Sequence, residues 1–301
     1  MDILFNETSL QLVQRIFGVV FPLAAIAAVG FLYARKRPTD MAVANRINID
    51  VFIPALIFSV MASSDFRLLD YVPLGVGATA VILGSALIAW PFCRWLGVVP
   101  RTLLPPMMFN NSGNLGIPLL VLAFGEAALP AAIVMFVISN LLHFTVGIYI
   151  LEGHSRPLQT LRMPIILATI AGVIWSIWNL PIPEPIFVSI EMLGQISIPL
   201  MLFALGVRMT DVDLGQWKLG LWGTLLSPLS GLIPALLLQL VLRLDAEQFA
   251  YLIVFAALPP AVLNYMLAEK YQQEPDKVAA MVLMGNIGSL AIIPVALAFV
   301  L

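Results

Sequence analysis

The stretch Asn110-Asn111-Ser112-Gly113-Asn114-Leu115-Gly116-Ile117-Pro118 sets four amide or hydroxyl side chains, two glycines and a proline inside a run whose flanks are apolar enough for lipid. In hydrocarbon every backbone polar group must be satisfied internally, and irregular backbone persists at membrane depth only where protein buries it or where it lines a cavity. A chain interrupted in this way is constrained to a helical bundle with a polar interior, and the interruption marks a substrate path.

The remaining residues agree that lipid is the solvent. With 61% hydrophobic and 11% charged residues over 301 positions, the chain cannot cover itself with a water-soluble surface. Its single cysteine, Cys93, excludes an intramolecular disulfide and a cysteine metal cluster. No cofactor is expected. The sequence has no nucleotide-binding loop and no nucleic-acid patch, so it predicts neither primary active transport by this chain nor nucleic-acid binding.

Spans of about 17 to 25 apolar residues are predicted at 10–34, 43–63, 71–94, 102–124, 129–151, 163–181, 186–208, 218–242, 247–269 and 277–300, an all-α membrane protein of ten transmembrane helices. Pro22, Pro54, Pro118, Pro199, Pro234 and Pro294 fall well inside these runs, which a bundle tolerates where water would not. The first span follows acidic Asp2 and Glu7 and precedes its basic cluster Arg35-Lys36-Arg37. That order is the reverse of a secretory signal, so the span is expected to be retained.

If the N-terminus lies outside, the cytoplasmic loops hold Arg35, Lys36, Arg37, Arg46, Arg94, Arg101, Arg156, Arg162, Arg208, Lys218, Lys270 and Lys277, which is 12 of the 15 basic residues. Only Arg15, Arg67 and Arg243 fall outside. This asymmetry supports both the span count and an outward-facing pair of termini.

A constant offset also runs through the chain. Phe52-Ile53-Pro54-Ala55-Leu56-Ile57-Phe58 matches Ser197-Ile198-Pro199-Leu200-Met201-Leu202-Phe203, with 199 − 54 = 145. Leu74-Gly75 with Leu219-Gly220, and Pro130 with Pro275, repeat that spacing, and Asn140 precedes Asn286 by 146. Two halves of five helices result. Because five is odd, the second half enters the membrane inverted. The predicted units are 1–151, a short cytoplasmic linker 152–162, and 163–301.

Moving Asn114 forward by 145 reaches Pro259 of Leu258-Pro259-Pro260, so the interruption in the fourth span has a counterpart in the ninth. Pro118 is expected to free the carbonyl of Asn114, and Pro259 and Pro260 those of Phe255 and Ala256. Gly113 and Gly116 ease the unwinding. Two antiparallel discontinuous helices would then aim unbonded N–H groups and positive dipole ends at an anion, with loose carbonyls left for cations or water.

Gly116-Ile117-Pro118-Leu119-Leu120, with Asn111 seven residues before the proline, resembles the fourth-helix crossover of the auxin efflux carrier family. Ala257-Leu258-Pro259-Pro260, Leu267-Ala268-Glu269-Lys270-Tyr271, Pro275 and Ile293-Pro294 are similar to that family's carboxyl-terminal segments. Asn45-Arg46 leading to Pro54, and Phe203-Ala204-Leu205-Gly206, extend the likeness over essentially all ten helices. The resemblance implies a scaffold of helices 1, 2, 6 and 7, a mobile transport domain of helices 3–5 and 8–10 working as an elevator, and a homodimer through the scaffold. It implies secondary transport of a small organic anion, a carboxylate such as malonate or another dicarboxylate or an auxin-like acid, held at the crossover by Asn111, Pro118 and Pro259. The long hydrophilic central loop of the plant exporters is replaced by Glu152 to Arg162, which implies a compact bacterial member of the inner (plasma) membrane.

The predicted substrate-binding set is Asn110, Asn111, Asn114, Gly116, Pro118, Pro259, Pro260, Asn264, Asn140 and Asn286. Asn264 and Tyr265 either extend the site or bond to neighbouring helices. Asn140 and Asn286 are expected to face the crossover. His143, one turn after Asn140, either carries a coupling proton or packs as a satisfied intramembrane group; H+ and Na+ are both compatible coupling ions. Arg46 and Asp50, four residues apart, predict a helix-end ion pair, and Arg208 is expected to cap the seventh helix.

Two other classes deserve a test against the sequence. An intramembrane enzyme needs catalytic groups that the chain does not assemble: no His-Glu-x-x-His pattern occurs, and Ser112 has no evident base because His154 lies in a loop. A channel lined by the broken helices is the other alternative.

Overall fold

The computed structural model describes residues 7–63, 66–154, 160–210 and 215–301; Asp2 and Arg156 lie outside the described residues. The helices are α1 (Glu7–Lys36), α2 (Ala42–Met61), α3 (Val72–Leu96), α4 (Pro100–Met108), α5 (Ser112–Phe124), α6 (Glu126–Glu152), α7 (Pro164–Trp178), α8 (Glu184–Arg208), α9 (Trp217–Leu242), α10 (Ala246–Ala256), α11 (Val262–Lys270) and α12 (Pro275–Val300). Seven spans among the described residues, those containing α1, α2, α3, α6, α8, α9 and α12, are long and apolar enough to cross a membrane. Shorter apolar helices α5, α7 and α10 stand among them. The protein is an all-helical, multi-pass membrane protein.

The predicted fourth span divides into α4 and α5, and the ninth into α10 and α11. Pro118 does not make the first of these breaks. It sits in the opening turn of the α-helical part of α5, where a missing N–H costs nothing. Helical geometry is instead lost at Phe109, whose backbone is extended. A π turn, Ser112–Gly116, then leads into Pro118, with the N–H of Ile117 bonded to the carbonyl of Ser112 five residues back. The same device precedes Pro54, where the π turn Asn48–Phe52 ends with the N–H of Ile53 on the carbonyl of Asn48. That wider turn also rotates Asp50 away from Arg46. No Arg46–Asp50 ion pair exists among the described residues, contrary to expectation.

Packing sorts the helices into two groups. In the first, α1 lies along α8, and α2 packs on α7 and α8. A Cβ at Gly206 would fall 1.8 Å from the carbonyl oxygen of Ala27, and one at Gly30 would fall 2.2 Å from that of Phe203. Glycine at these two points lets the backbones of α1 and α8 touch, the usual way helices gain contact where lipid supplies no hydrophobic drive. In the second group α9 packs on α3 and α12, α11 on α12, and α3 on α4 and α6.

Phe109, Phe255, Leu103, Leu119, Leu120, Ile133 and Met135 are among the largest fully buried side chains, and they belong to α4, α5, α6 and α10 or to the breaks beside them. The interrupted helices therefore form the centre of the molecule. The long helices wrap it and turn Phe17, Phe21, Leu240 and Val241 outward, an apolar surface suited to lipid.

Candidate functional site

The two breaks meet. The N–H of Asn111 donates to the carbonyl of Pro259 (2.7 Å), and the N–H of Ala261 donates to the carbonyl of Phe109 (2.9 Å). Asn110 and Pro260 thus form an isolated antiparallel bridge. Leaving a helix strands donors and acceptors at about 1–3 kcal/mol each when buried, and here each break accepts what the other leaves over. Asn110 Nδ2 donates to the carbonyl of Phe255 (2.6 Å), one of the two that the double proline was expected to free. Asn111 Nδ2 donates to Asn286 Oδ1 (2.9 Å), and Asn286 Nδ2 donates to the carbonyls of Pro260 (3.0 Å) and Val282 (2.7 Å). Asn264 Nδ2 donates to the carbonyl of Phe109 (2.8 Å) and to that of Ala261 (3.0 Å). Backbone carbonyls only accept, so each of these bonds fixes which end of the amide is nitrogen.

Two clefts flank the crossing. Cleft 1, of about 200 Å³, is lined by Asn110 to Asn114, by Asn140 and His143, by Val262 and Leu263, and by Asn45, Asn48 and Arg208 of the α1–α2–α7–α8 group. Cleft 2, of about 250 Å³, is lined by Arg208, Val262, Tyr265, Asp276 and Asn286 among others. Both volumes fall below the roughly 300–1,000 Å³ of pockets for drug-sized ligands, so either would take a small molecule.

Cleft 1 collects the structural irregularities. The π turns at Asn48–Phe52, Ser112–Gly116 and His143–Gly147 all contribute lining residues, and such turns recur at functional sites. The helices α5 and α11 both begin on it. Among the described residues the N–H groups of Ser112, Gly113, Asn114, Val262 and Leu263 have no backbone partner, as the first turn of a helix dictates. Asn48 Oδ1, Asn110 Oδ1 and His143 Nε2 are buried there without a hydrogen-bond partner, as is Asn264 Oδ1 beside Leu263. His143 stacks flat on Phe109, with ring centroids 4.1 Å apart and planes 8° apart.

The predicted residues are placed unequally. Asn110, Asn111, Pro259, Pro260, Asn264 and Asn286 come together at the crossing, and Asn114 lines cleft 1. Gly116 packs on the other break: a Cβ there would lie 2.8 Å from Leu258 Cδ1. Pro118 is buried one helical turn and more beyond the crossing. Asn140 lines cleft 1 but spends its Nδ2 on the carbonyl of Phe136 in its own helix, so it stands apart from its expected counterpart Asn286. Sequence reasoning missed Asn45, Asn48 and Phe144, and it read Arg208 as a cap only. The Asn45 and Asn48 pair at the start of an apolar span was the available signal.

A sequence profile described as "Membrane transport protein" matches residues 154–297. A protein named, provisionally, a malonate transporter from Rhizobium meliloti (strain 1021) is 26% identical over 92% of this chain and 93% of its own length. An uncharacterized transporter from Methanothermobacter thermautotrophicus is 27% identical over 85% of this chain and 87% of its own length. Auxin efflux carrier component 6 of Arabidopsis thaliana is 28% identical over 57% of this chain and 29% of its own length. The chain is thus similar to membrane transport proteins, auxin efflux carriers among them. The similarity is to membrane transporters and not to enzymes, and it implies a small-molecule substrate.

Proposed function

We propose that the protein is a secondary active transporter of a small organic anion, a carboxylate of the size of malonate, and that cleft 1 is its binding site. The observation that carries this reading is the convergence of two helix starts on one small cleft, with five unpartnered N–H groups among the described residues. Helix N-termini concentrate positive partial charge and free donors, which together attract carboxylates. The name of the Rhizobium meliloti relative supports the same class of substrate.

Ten membrane crossings in two inverted five-helix repeats are part of the same proposal. Two bonds support it: Ser85 Oγ to the carbonyl of Ser230, and Asn110 Nδ2 to the carbonyl of Phe255. Each joins residues 145 apart, the spacing of the internal match, so equivalent points touch as they must beside a two-fold axis. The two packing groups support an elevator in which α3–α6 and α9–α12 move against a frame of α1, α2, α7 and α8, the frame also offering the surface for a homodimer. Cleft 1 reaches Asn45 and Met163, the sequence neighbours of Arg46 and Arg162, and both clefts reach Arg208. With basic loops in the cytoplasm and both termini outside, this is a state open to the cell interior across the plasma membrane. Opposite, Arg15 Nη2 donates to the carbonyl of Ala123 (3.5 Å), tying α1 to α5.

His143 is the proposed carrier of a coupling proton, because its Nε2 is buried at cleft 1 without a partner. Uptake of labelled malonate by proteoliposomes holding the purified protein tests the main reading. Saturable, gradient-dependent uptake is expected. Flux without saturation or with unitary currents would replace the carrier by a channel.

A further inference from the structure

The side-chain amide donors at the crossing are spent inside the protein. Asn110, Asn111, Asn264 and Asn286 each give Nδ2 to a protein acceptor, and the fully buried unpartnered side-chain atoms beside cleft 1 are Oδ1 atoms and His143 Nε2. Oδ1 atoms repel a carboxylate. The free backbone N–H groups at the two helix starts offer a carboxylate donors and partial positive charge, but no full charge. A molecule with two carboxylates gains most from a full positive charge beside those donors.

Among the described residues Arg208 is the one Lys or Arg that lines either cleft, and it lines both. It is half-buried in the last turn of α8 and makes no ion pair among the described residues. The two clefts differ in what surrounds it. In cleft 2 it faces a lining that contains Asp276, whereas among the described residues no acidic one lines cleft 1. Among the described residues the guanidinium therefore has a carboxylate beside it in cleft 2 and none in cleft 1. Its planar fork fits a carboxylate through two parallel hydrogen bonds, and it stays charged at any working pH.

Building on the transport reading above, we propose that Arg208 is the specificity-determining residue for dicarboxylates: one carboxylate sits on the N–H groups of α5 and α11, and the other pairs with Arg208 from the frame. Since Arg208 belongs to the frame and the helix starts to the moving group, a two-headed substrate bridges the two bodies. A one-headed acid touches the moving group alone.

The test is binding of malonate and of its monomethyl ester to the full-length protein in detergent, read by thermal stabilisation, followed by uptake kinetics. Wild type should bind malonate at least about tenfold more tightly than the ester, the discrimination expected of a charged hydrogen-bonded pair. Arg208→Gln should bind the two alike, with KM for malonate raised by a similar factor and kcat retained, and Arg208→Lys should recover part of the preference. Equal binding of both acids by wild type, or a malonate preference that survives in Arg208→Gln, would overturn the assignment and leave the transport reading intact. Binding of neither acid by wild type would remove the carboxylate reading and this assignment together. The wild-type comparison decides the matter even if Arg208→Gln does not fold.

Discussion

The break after α4 is made of amides, Phe109-Asn110-Asn111, while the break after α10 is made of Leu258-Pro259-Pro260 between two alanines. The first has donors to spare: a backbone N–H at every residue and two carboxamides. The second has carbonyls to spare, because proline lacks an N–H and prevents the helix from using its own acceptors. Asn110, Asn111, Pro259 and Pro260 meet face to face, and donors from the first break close on acceptors of the second. Neither interruption is tolerable alone in lipid. The lesson is that the two are one structural unit divided between distant segments, stable because its halves differ in chemistry.

The severest way to break that pairing is Asn111→Ala, which leaves Asn286 Oδ1 buried without its donor. Uptake should fall by about a hundredfold and stability by roughly 1–3 kcal/mol; near-normal uptake by a folded variant would show that the amide pair is dispensable. Replacing both Pro259 and Pro260 by alanine attacks the other half. It removes an interior helix penalty of ~3 kcal/mol per proline, so α10 is freed to run on into α11 and compete with the crossing. Uptake should drop about tenfold while the protein melts no lower than wild type, and a variant with wild-type uptake would argue that the prolines only kink. Gly116→Val should have a smaller effect, since its Cβ presses on the end of the Leu258 side chain. Overpacking of ~1–3 kcal/mol is expected, and adding Leu258→Ala should relieve it; failure of that rescue would place the strain elsewhere. His143→Phe keeps a ring to stack on Phe109 and removes both ring nitrogens. Uptake driven by a proton gradient should be lost while exchange of labelled for unlabelled malonate without a gradient persists. Unchanged proton-driven uptake would assign the ring to packing.

Much of this arrangement was legible before any coordinates. Amides and glycines in one apolar run and a double proline in another announced both breaks, because lipid leaves such residues no other use. The register of the crossing was not legible. Matching side-chain motifs set Asn114 against Pro259, whereas the bridge pairs Asn110 with Pro260, because reciprocal main-chain bonds carry no side-chain signature. Pro118 misled for a related reason. A proline looks like a breaker in sequence, but after a π turn it starts a helix instead of ending one. The same π turns hid Asn48, since one added residue per turn changes which side chains share a face. Arg208 was hidden by its position, where a basic residue ordinarily serves the helix end; only the neighbouring helices show that it also reaches the clefts.

The most direct test of the crossing as an anion site is a structure of the protein in lipid nanodiscs at saturating malonate. The account predicts interrupted α4–α5 and α10–α11 joined at Asn110 and Pro260, with carboxylate density against the N–H groups of Ser112 to Asn114 and of Val262 and Leu263. Continuous helices in place of either break, or malonate bound away from both helix starts, would contradict it.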